Sequence, residues 1–135
     1  MKKQQYMRMA LMAKLLSFLV LTVFSVLLIR TPAKAESLTA KGGVNYFGEQ
    51  KETWYNLPMD RIYKKADQRF GSHHKRWTRS DGCKMYGPFI MCAANWQEHP
   101  YGSLVESSLG TCIVLDTGAF ATPENLKQID IATNW

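Results

Sequence analysis

The chain has 135 residues, with 17 lysines and arginines against 11 aspartates and glutamates, which gives a formal net charge of +6 at pH 7. Six of the basic residues and none of the acidic ones precede Glu36, so residues 36–135 are neutral, with 11 charges of each sign. The positive charge therefore belongs to the first 35 residues, and it gives no support to a nucleic-acid-binding protein.

Residues 1–35 have the layout of a secretory signal peptide. A basic start is followed by the apolar run 15–29 and then by Ala33-Lys34-Ala35, which is an A-x-A cleavage pattern. The apolar run is shorter than the roughly 20 residues of a membrane-spanning helix, which favours cleavage over a retained anchor. We therefore expect a secreted or cell-envelope protein (cell wall or periplasm) that makes no membrane contact after cleavage.

The remaining 100 or so residues are enough for one small domain. Residues 36–50 are polar and contain glycine, which predicts a flexible N-terminal segment before a domain at 51–135. Residues 52–57 predict a first strand, because Pro58 ends the run. Apolar residues at helical spacing then predict one short amphipathic helix that stops at Gly71; they are Met59, Ile62, Tyr63, Ala66 and Phe70.

Residues 72–82 predict a basic loop that closes in the turn pair Asp81-Gly82. The loop belongs to a basic stretch, because eight of the 11 basic residues of the mature chain lie between positions 60 and 84. A solvated helix and loop is the ordinary explanation of such a stretch, and a basic rim that attracts an anionic polymer is the alternative.

Four short apolar runs follow, at 89–94, 104–106, 111–115 and 128–132, with turn residues between them. Many short strands in so few residues predict a mainly β fold, in the form of a small β-barrel that closes its own edges.

Two aspartates stand in these apolar runs. Asp116 follows the run 111–115 and precedes Thr117-Gly118, a turn that exposes backbone N–H groups, while Asp130 alternates with its isoleucine neighbours and lies on the opposite strand face from them. A buried carboxylate is costly unless it is hydrogen-bonded, paired or used in chemistry. Asp116 and Asp130 are therefore candidate functional residues.

Three motifs in residues 91–135 carry a family resemblance: the Pro-Tyr-Gly-Ser turn at 100–103 that leads into a strand, the Asp-Thr-Gly at 116–118 that follows one, and the Ile-Asp at 129–130 within one. This stretch resembles the three-aspartate (3D) domain of exported bacterial wall proteins and of the C-terminal end of membrane-bound lytic transglycosylase A. The resemblance extends weakly to Thr53-Trp54-Tyr55. It implies a double-psi β-barrel that cleaves peptidoglycan glycan strands and leaves a 1,6-anhydro sugar.

The resemblance also implies the role of each aspartate. Asp130 matches the family's last aspartate, the catalytic acid/base, and Asp116 matches the middle one. The first family aspartate stands five residues before the proline of the turn, where this chain has Asn95. Ala119 is a second departure, since the family usually has glycine there.

Substrate contacts are expected from the residues around these aspartates. We expect Asn95, Thr117 and Gly118 to contact the glycan, with the Thr117-Gly118 backbone near the developing charge. Aromatic side chains stack on sugar rings, and those beside polar loops are the best candidates for this role; they are Trp96 and Tyr101. Packing in the core or at its rim is the ordinary alternative for both.

One carboxyl group is enough for this chemistry. A lytic transglycosylase uses the substrate's own C6 hydroxyl as nucleophile, so one residue can protonate the leaving oxygen and then accept the hydroxyl proton. Asp130 must start protonated, which requires burial and a like-charged neighbour to raise its pKa above the usual ~3.9. Asp116 is the candidate neighbour, and its alternative role is to hold Asp130 or the substrate through hydrogen bonds. Because Asn95 removes one negative neighbour, we predict activity with a lower apparent pKa.

Other site types have weak support. His73-His74 with Cys83 lacks nearby carboxylates and is typical of surface residues, so we predict no metal and no cofactor. Three cysteines allow at most one intrachain disulfide, and Cys92 and Cys112 lie in apolar strands typical of a core. The expected partner is therefore peptidoglycan and not nucleic acid. The alternative function is a non-catalytic wall-binding module, as in expansin-like double-psi barrels.

Overall fold

The computed structural model describes residues 36–135, and the predicted signal peptide lies outside them. The described chain contains one helix and eight strands, in the order β1 (Asn45–Phe47), β2 (Gln50–Tyr55), α1 (Asp60–Phe70), β3 (Arg76–Thr78), β4 (Lys84–Tyr86), β5 (Phe89–Ala94), β6 (Leu104–Ser107), β7 (Gly110–Asp116) and β8 (Gln128–Ala132). The prediction of a mainly β fold with one short helix is confirmed. Within residues 36–135, α1 is too short to cross a membrane.

Strand β5 is the centre of the sheet because it pairs with three other strands. The sheet runs in the order β1-β2-β8-β5-β4-β3, and β7 joins β5 from outside this path and carries β6. The pairs β2–β8 and β5–β7 are parallel, and the remaining pairs are antiparallel. Near the end of β5, the backbone of Ala93 lies between β7 and β8.

Strands β5, β7 and β8 are largely buried on both faces, which explains the nearly continuous apolar sequences of β5 and β7. One face forms an inner cluster that includes Ile90, Cys92, Cys112, Val114, Ile129 and Ile131. The other face forms a helix-side cluster in which Met91, Ile113 and Leu115 pack with Ile62, Tyr63 and Ala66 of α1. Cys92 and Cys112 are buried core residues, as predicted, and both are free thiols, like Cys83.

Helix α1 forms because its apolar residues recur on one face and its charged residues occupy the other. Ile62, Tyr63 and Ala66 are buried. Burial of a side chain as large as that of Ile62 contributes about 1.5–3 kcal/mol. Gly71 follows the helix in the left-handed conformation (φ 65°), which glycine adopts without steric cost. The predicted glycine stop is confirmed.

Two predicted segments contain strands that the sequence did not indicate. The predicted basic loop at 72–82 includes β3, which pairs with β4 although all three of its side chains are exposed. The segment predicted to be flexible includes β1, which pairs with β2, and Leu38, which is 2% exposed in the inner cluster. Backbone pairing holds both strands, so their side chains carry little of the apolar pattern on which the prediction relied.

A buried glutamate ties this N-terminal strand pair to the rest of the sheet. Glu52 of β2 is fully buried, and its carboxylate accepts hydrogen bonds from the Asn45 amide at 2.9 Å, the Ser108 backbone N–H at 2.8 Å and the Ser108 hydroxyl at 2.5 Å. Because the Ser108 turn joins β6 to β7, the carboxylate connects β1 and β2 to the opposite side of the sheet.

Candidate functional site

Asp116 and Asp130 lie on the two strands that flank Ala93 of β5. Asp130 on β8 pairs with Ala93 in the antiparallel register, and Asp116 at the end of β7 pairs with the same residue in the parallel register. Paired residues point to the same face of a sheet, and two strand spacings separate the aspartate backbones by roughly 10 Å. The sheet therefore brings both predicted catalytic residues to one face.

A bulge in β7 puts Asp116 on this face. Cys92 pairs with Val114 and Ala93 pairs with Asp116, so Leu115 is an extra residue in β7. With regular pairing, Ala93 would oppose Leu115, and Asp116 would point to the inner cluster. Since a slip of one residue reverses the direction of a strand side chain, the bulge directs the carboxylate of Asp116 out of the core.

The two aspartates line one cleft of about 290 Å³. Its other walls come from the ends of β2 and β5 and from the loop after β7; they are formed by Tyr55, Leu57, Ala93, Thr117, Gly118, Ala119 and Phe120. The small side chain of Ala93 leaves space between the two carboxyl groups. Of the predicted site residues, Asp116, Thr117, Gly118 and Asp130 meet here.

Asp130 is half-buried and has one side-chain partner. Its Oδ1 accepts a hydrogen bond from the Thr53 hydroxyl at 2.9 Å. Burial raises the pKa of Asp130, and the Thr53 hydrogen bond opposes that shift by stabilising the carboxylate. A raised pKa favours the protonated form that a general acid requires.

Asp116 is held by the turn that follows it. Its Oδ1 accepts a hydrogen bond from the backbone N–H of Thr117 at 2.9 Å, and its carbonyl oxygen accepts one from the Trp96 indole at 3.1 Å. The Thr117 N–H therefore orients the Asp116 carboxylate and does not face open solvent, whereas the Thr117 and Gly118 residues themselves are exposed along the cleft.

Tyr55 is a cleft residue that the sequence interpretation did not include in the site. Its hydroxyl is buried and has no hydrogen-bond partner among the described residues. Burial, and then the negative charges of Asp116 and Asp130, raise the pKa of Tyr55 far above its usual value, which keeps the hydroxyl protonated as a donor. The sequence could have indicated Tyr55 as a cleft residue, because strand alternation places it on the same face as Thr53.

Asn95 does not line the cleft. It is 5% exposed, its Nδ2 donates to the Thr122 carbonyl at 3.1 Å, and its Oδ1 accepts from the Gln97 backbone N–H at 3.0 Å. The Nδ2 end thus fastens the loop between β7 and β8, and the Oδ1 end holds the turn that follows β5. Asn95 holds one side of the cleft in place and offers no free polar atom to a ligand.

Trp96 and Tyr101 lie outside the cleft, beside α1. Their rings meet edge to face at 5.7 Å between centroids, and Tyr101 also stacks on Phe70 at 6.0 Å. The Lys65 ammonium lies 5.3 Å from the Trp96 ring centre and 5.4 Å from that of Tyr101. Trp96 is 40% exposed, whereas Tyr101 packs against the helix-side cluster.

The departure at Ala119 is compatible with the backbone. Among residues 36–135, no residue other than glycine has a positive φ, so Ala119 adopts an ordinary conformation. Neither Ala119 nor Gly118 lies in the left-handed region, and alanine fits the turn without strain.

Within the described part of the chain, no three histidine, cysteine, aspartate or glutamate side chains are grouped so that they could hold a metal ion. The expectation that His73 and His74 lack a nearby carboxylate is wrong for His73, which contacts the Asp67 carboxylate at 2.9 Å because the chain turns back on α1. His74 lies against the Tyr86 ring at 4.7 Å between ring centres.

Comparison with known proteins found no family model, no curated protein and no solved structure that matches this chain.

Proposed function

We propose that this protein is a secreted peptidoglycan-cleaving enzyme of the lytic transglycosylase type, built on a 3D-family double-psi β-barrel and located in the cell wall or periplasm. The observation that carries the proposal is the pair of aspartates on either side of Ala93, one of which has a pKa raised by burial. The substrate is the glycan strand of peptidoglycan, cut at the β-1,4 bond between N-acetylmuramic acid and N-acetylglucosamine.

Asp130 is the acid/base of the proposed reaction. Its proton passes to the glycosidic oxygen as the bond from C1 to that oxygen breaks, and the C6 hydroxyl oxygen then bonds to C1. The hydroxyl proton returns to Asp130, so the carboxyl group ends in its starting state and no water is consumed. Asp116 faces the same space and stabilises the positive charge that develops on the sugar ring.

Tyr55 complements this pair as a positioning residue. Tyr55 lines the same cleft as both aspartates, and its buried hydroxyl has no protein partner among the described residues. A sugar hydroxyl or acetamido oxygen in the cleft would accept its hydrogen bond. Binding would thereby remove the cost of an unpaired buried donor.

The test is to incubate the purified protein with peptidoglycan and identify the soluble products by mass spectrometry. We expect products lighter by one water than hydrolysed muropeptides, and we expect Asp130→Asn to lower the rate by about 10²–10⁴-fold. Glu49→Gln is the matched control, because its side chain is 83% exposed and lies outside the cleft.

Three other results would change the proposal. Hydrated products would indicate a hydrolase in place of a transglycosylase. Full activity in Asp130→Asn would remove the assigned acid/base. Sedimentation with peptidoglycan without any product, in both parent and variant, would support the non-catalytic wall-binding module.

A further inference from the structure

One face of α1 carries a line of three basic side chains. Arg61, Lys65 and Arg69 recur at four-residue intervals, and all three are exposed. Like charges at this spacing repel each other and weaken a helix. The mutual repulsion of this line, called the basic stripe, therefore does not stabilise α1.

Within the described chain, the stripe has no acidic partner, a property that it shares with Lys64, Lys75 and Lys84 but not with Arg76 and Arg79. Among residues 36–135, ion pairs join Asp67 to His73 and Arg76, Asp81 to Arg79, and Glu49 to Lys127, and none includes a residue of the stripe. The stripe thus leaves three cations available to a ligand.

The stripe borders the cleft. Arg61 and Lys65 line a groove of about 350 Å³ together with Ile62, Leu115 and Asp116. Asp116 also lines the cleft that contains Asp130, so one residue separates the two depressions. A ligand extended along this surface would reach the groove directly from the cleft.

Aromatic rings hold two of the cations in place. Lys65 lies over Trp96 and Tyr101, and the Arg69 guanidinium lies 5.2 Å from the Tyr101 ring centre. Cation–π contacts of this length restrain a long side chain while its charge stays in solvent. The charges are therefore oriented before any ligand arrives.

We propose that the basic stripe is a subsite for the carboxylates of the peptide stems on the glycan strand. The inference rests on the proposed function, because it takes peptidoglycan as the ligand. The muramic sugar at the scissile bond carries a peptide with free carboxylates, so an anionic group lies beside the reacting sugar. A groove with unpaired cations next to the cleft fits that arrangement.

The experiment compares two purified substrates free of phosphate polymers: glycan strands with peptide stems and the same strands after removal of the stems by an amidase. The variant is Arg61→Gln/Lys65→Gln, and the matched control is Lys64→Gln, which neutralises an exposed lysine of the same helix outside the groove. We expect the double variant to lower kcat/KM on stem-bearing strands by about three- to tenfold, mainly through KM. Stem-free strands should be cleaved at the parent rate.

Binding to each substrate, and to walls that retain phosphate polymers, is also measured by co-sedimentation at low and high salt, so that the result does not depend on cleavage. Loss of binding to stem-bearing strands in the double variant supports the subsite even if no product forms. Equal losses on both substrates, or none, would overturn the subsite and leave the proposed cleavage intact. A loss seen only on walls that retain phosphate polymers would overturn it as well, because the ligand would then be a phosphate.

Discussion

Two aspartates of this protein, Asp67 of α1 and Asp130 of β8, have opposite environments. Asp67 is 5% exposed, and its carboxylate accepts hydrogen bonds from His73, Arg76 and the Tyr86 hydroxyl. These donors, His73 first, hold the pKa of Asp67 far below its usual range. Asp130 has one Thr53 hydrogen bond, and burial raises its pKa.

Asp67 is therefore a carboxylate that stabilises the fold, whereas Asp130 is one that the fold only positions. The Asp67 network joins the helix to β3 and β4, and the buried Tyr86 hydroxyl in it has a partner. Near Asp130, the Tyr55 hydroxyl has no hydrogen-bond partner within the described residues. Unsatisfied polar groups destabilise a protein, and they persist at sites where binding or chemistry uses them.

The largest effect is expected from Asp67→Asn. The amide retains one acceptor and adds a donor that faces other donors, so the melting temperature at pH 7 should fall by roughly 5–15 °C. Because the folded-state pKa of Asp67 is lowered, its stabilisation is lost as pH falls below the ordinary carboxyl range, and the difference from the parent should shrink in acid. Thermal unfolding at several pH values tests this, with Asp60→Asn, an exposed residue of the same helix, as control.

Asp130→Asn is expected to raise the melting temperature at pH 7, the opposite of Asp67→Asn. The raised folded-state pKa means that the Asp130 carboxyl favours folding below about pH 4 and that this contribution is lost as pH rises through the folded-state value. The asparagine variant should therefore melt a few degrees higher than the parent at pH 7 and show no gain in acid, while cleavage is lost. A lower melting temperature at pH 7 would contradict the assigned environment.

Tyr55→Phe and Tyr63→Phe form a matched pair. The Tyr55 hydroxyl has no partner in the described chain, whereas the Tyr63 hydroxyl donates to the Met85 carbonyl at 3.1 Å. Removing the Tyr55 hydroxyl should raise the free energy of unfolding by about 1 kcal/mol, and removing the Tyr63 hydroxyl should lower it by a similar amount. Chemical denaturation measures both, and Tyr55→Phe should also slow cleavage by about three- to tenfold. A stability loss in Tyr55→Phe would show that its hydroxyl is bonded in the folded protein.

The smallest effect is expected from Thr53→Val. The Thr53 hydroxyl stabilises the ionised form of Asp130, so its removal should raise the pKa of Asp130 further. A general acid with a higher pKa stays protonated to higher pH, and the pH–rate optimum should move upward by a fraction of a unit to one unit. An unchanged or lower optimum would indicate that this hydrogen bond does not tune the acid.

The sequence predicted the parts of the fold whose side chains carry an apolar pattern. The bounds of β5 and β8 and the end of α1 at Gly71 follow from such patterns, because these elements are buried or end at a glycine. Strands β1, β3 and β4 escaped. Pairing partners and not apolar side chains define β1 and β3, and β4 is too short to show a pattern although Met85 and Tyr86 are buried.

The candidate site was predictable only in part, for similar reasons. The two aspartates are visible as charges in apolar runs. Asn95 proved to be a loop anchor because its hydrogen bonds depend on Thr122, which lies 27 residues later and which spacing rules cannot relate to it. The basic stripe was present in the four-residue spacing along α1, but the sequence does not reveal which cations lack partners.

The bulge in β7 makes the cleft depend on strand register as well as on residue type. Without the bulge, regular pairing of the same sequence would place Leu115 opposite Ala93 and turn the Asp116 side chain to the inner cluster, where an unpaired carboxylate is strongly unfavourable. Loss of the bulge would therefore abolish the aspartate pair while both aspartates stay in the sequence. For chains of this kind, aspartates aligned by position alone are not evidence of a shared site unless the strand that carries the first one pairs in the same register.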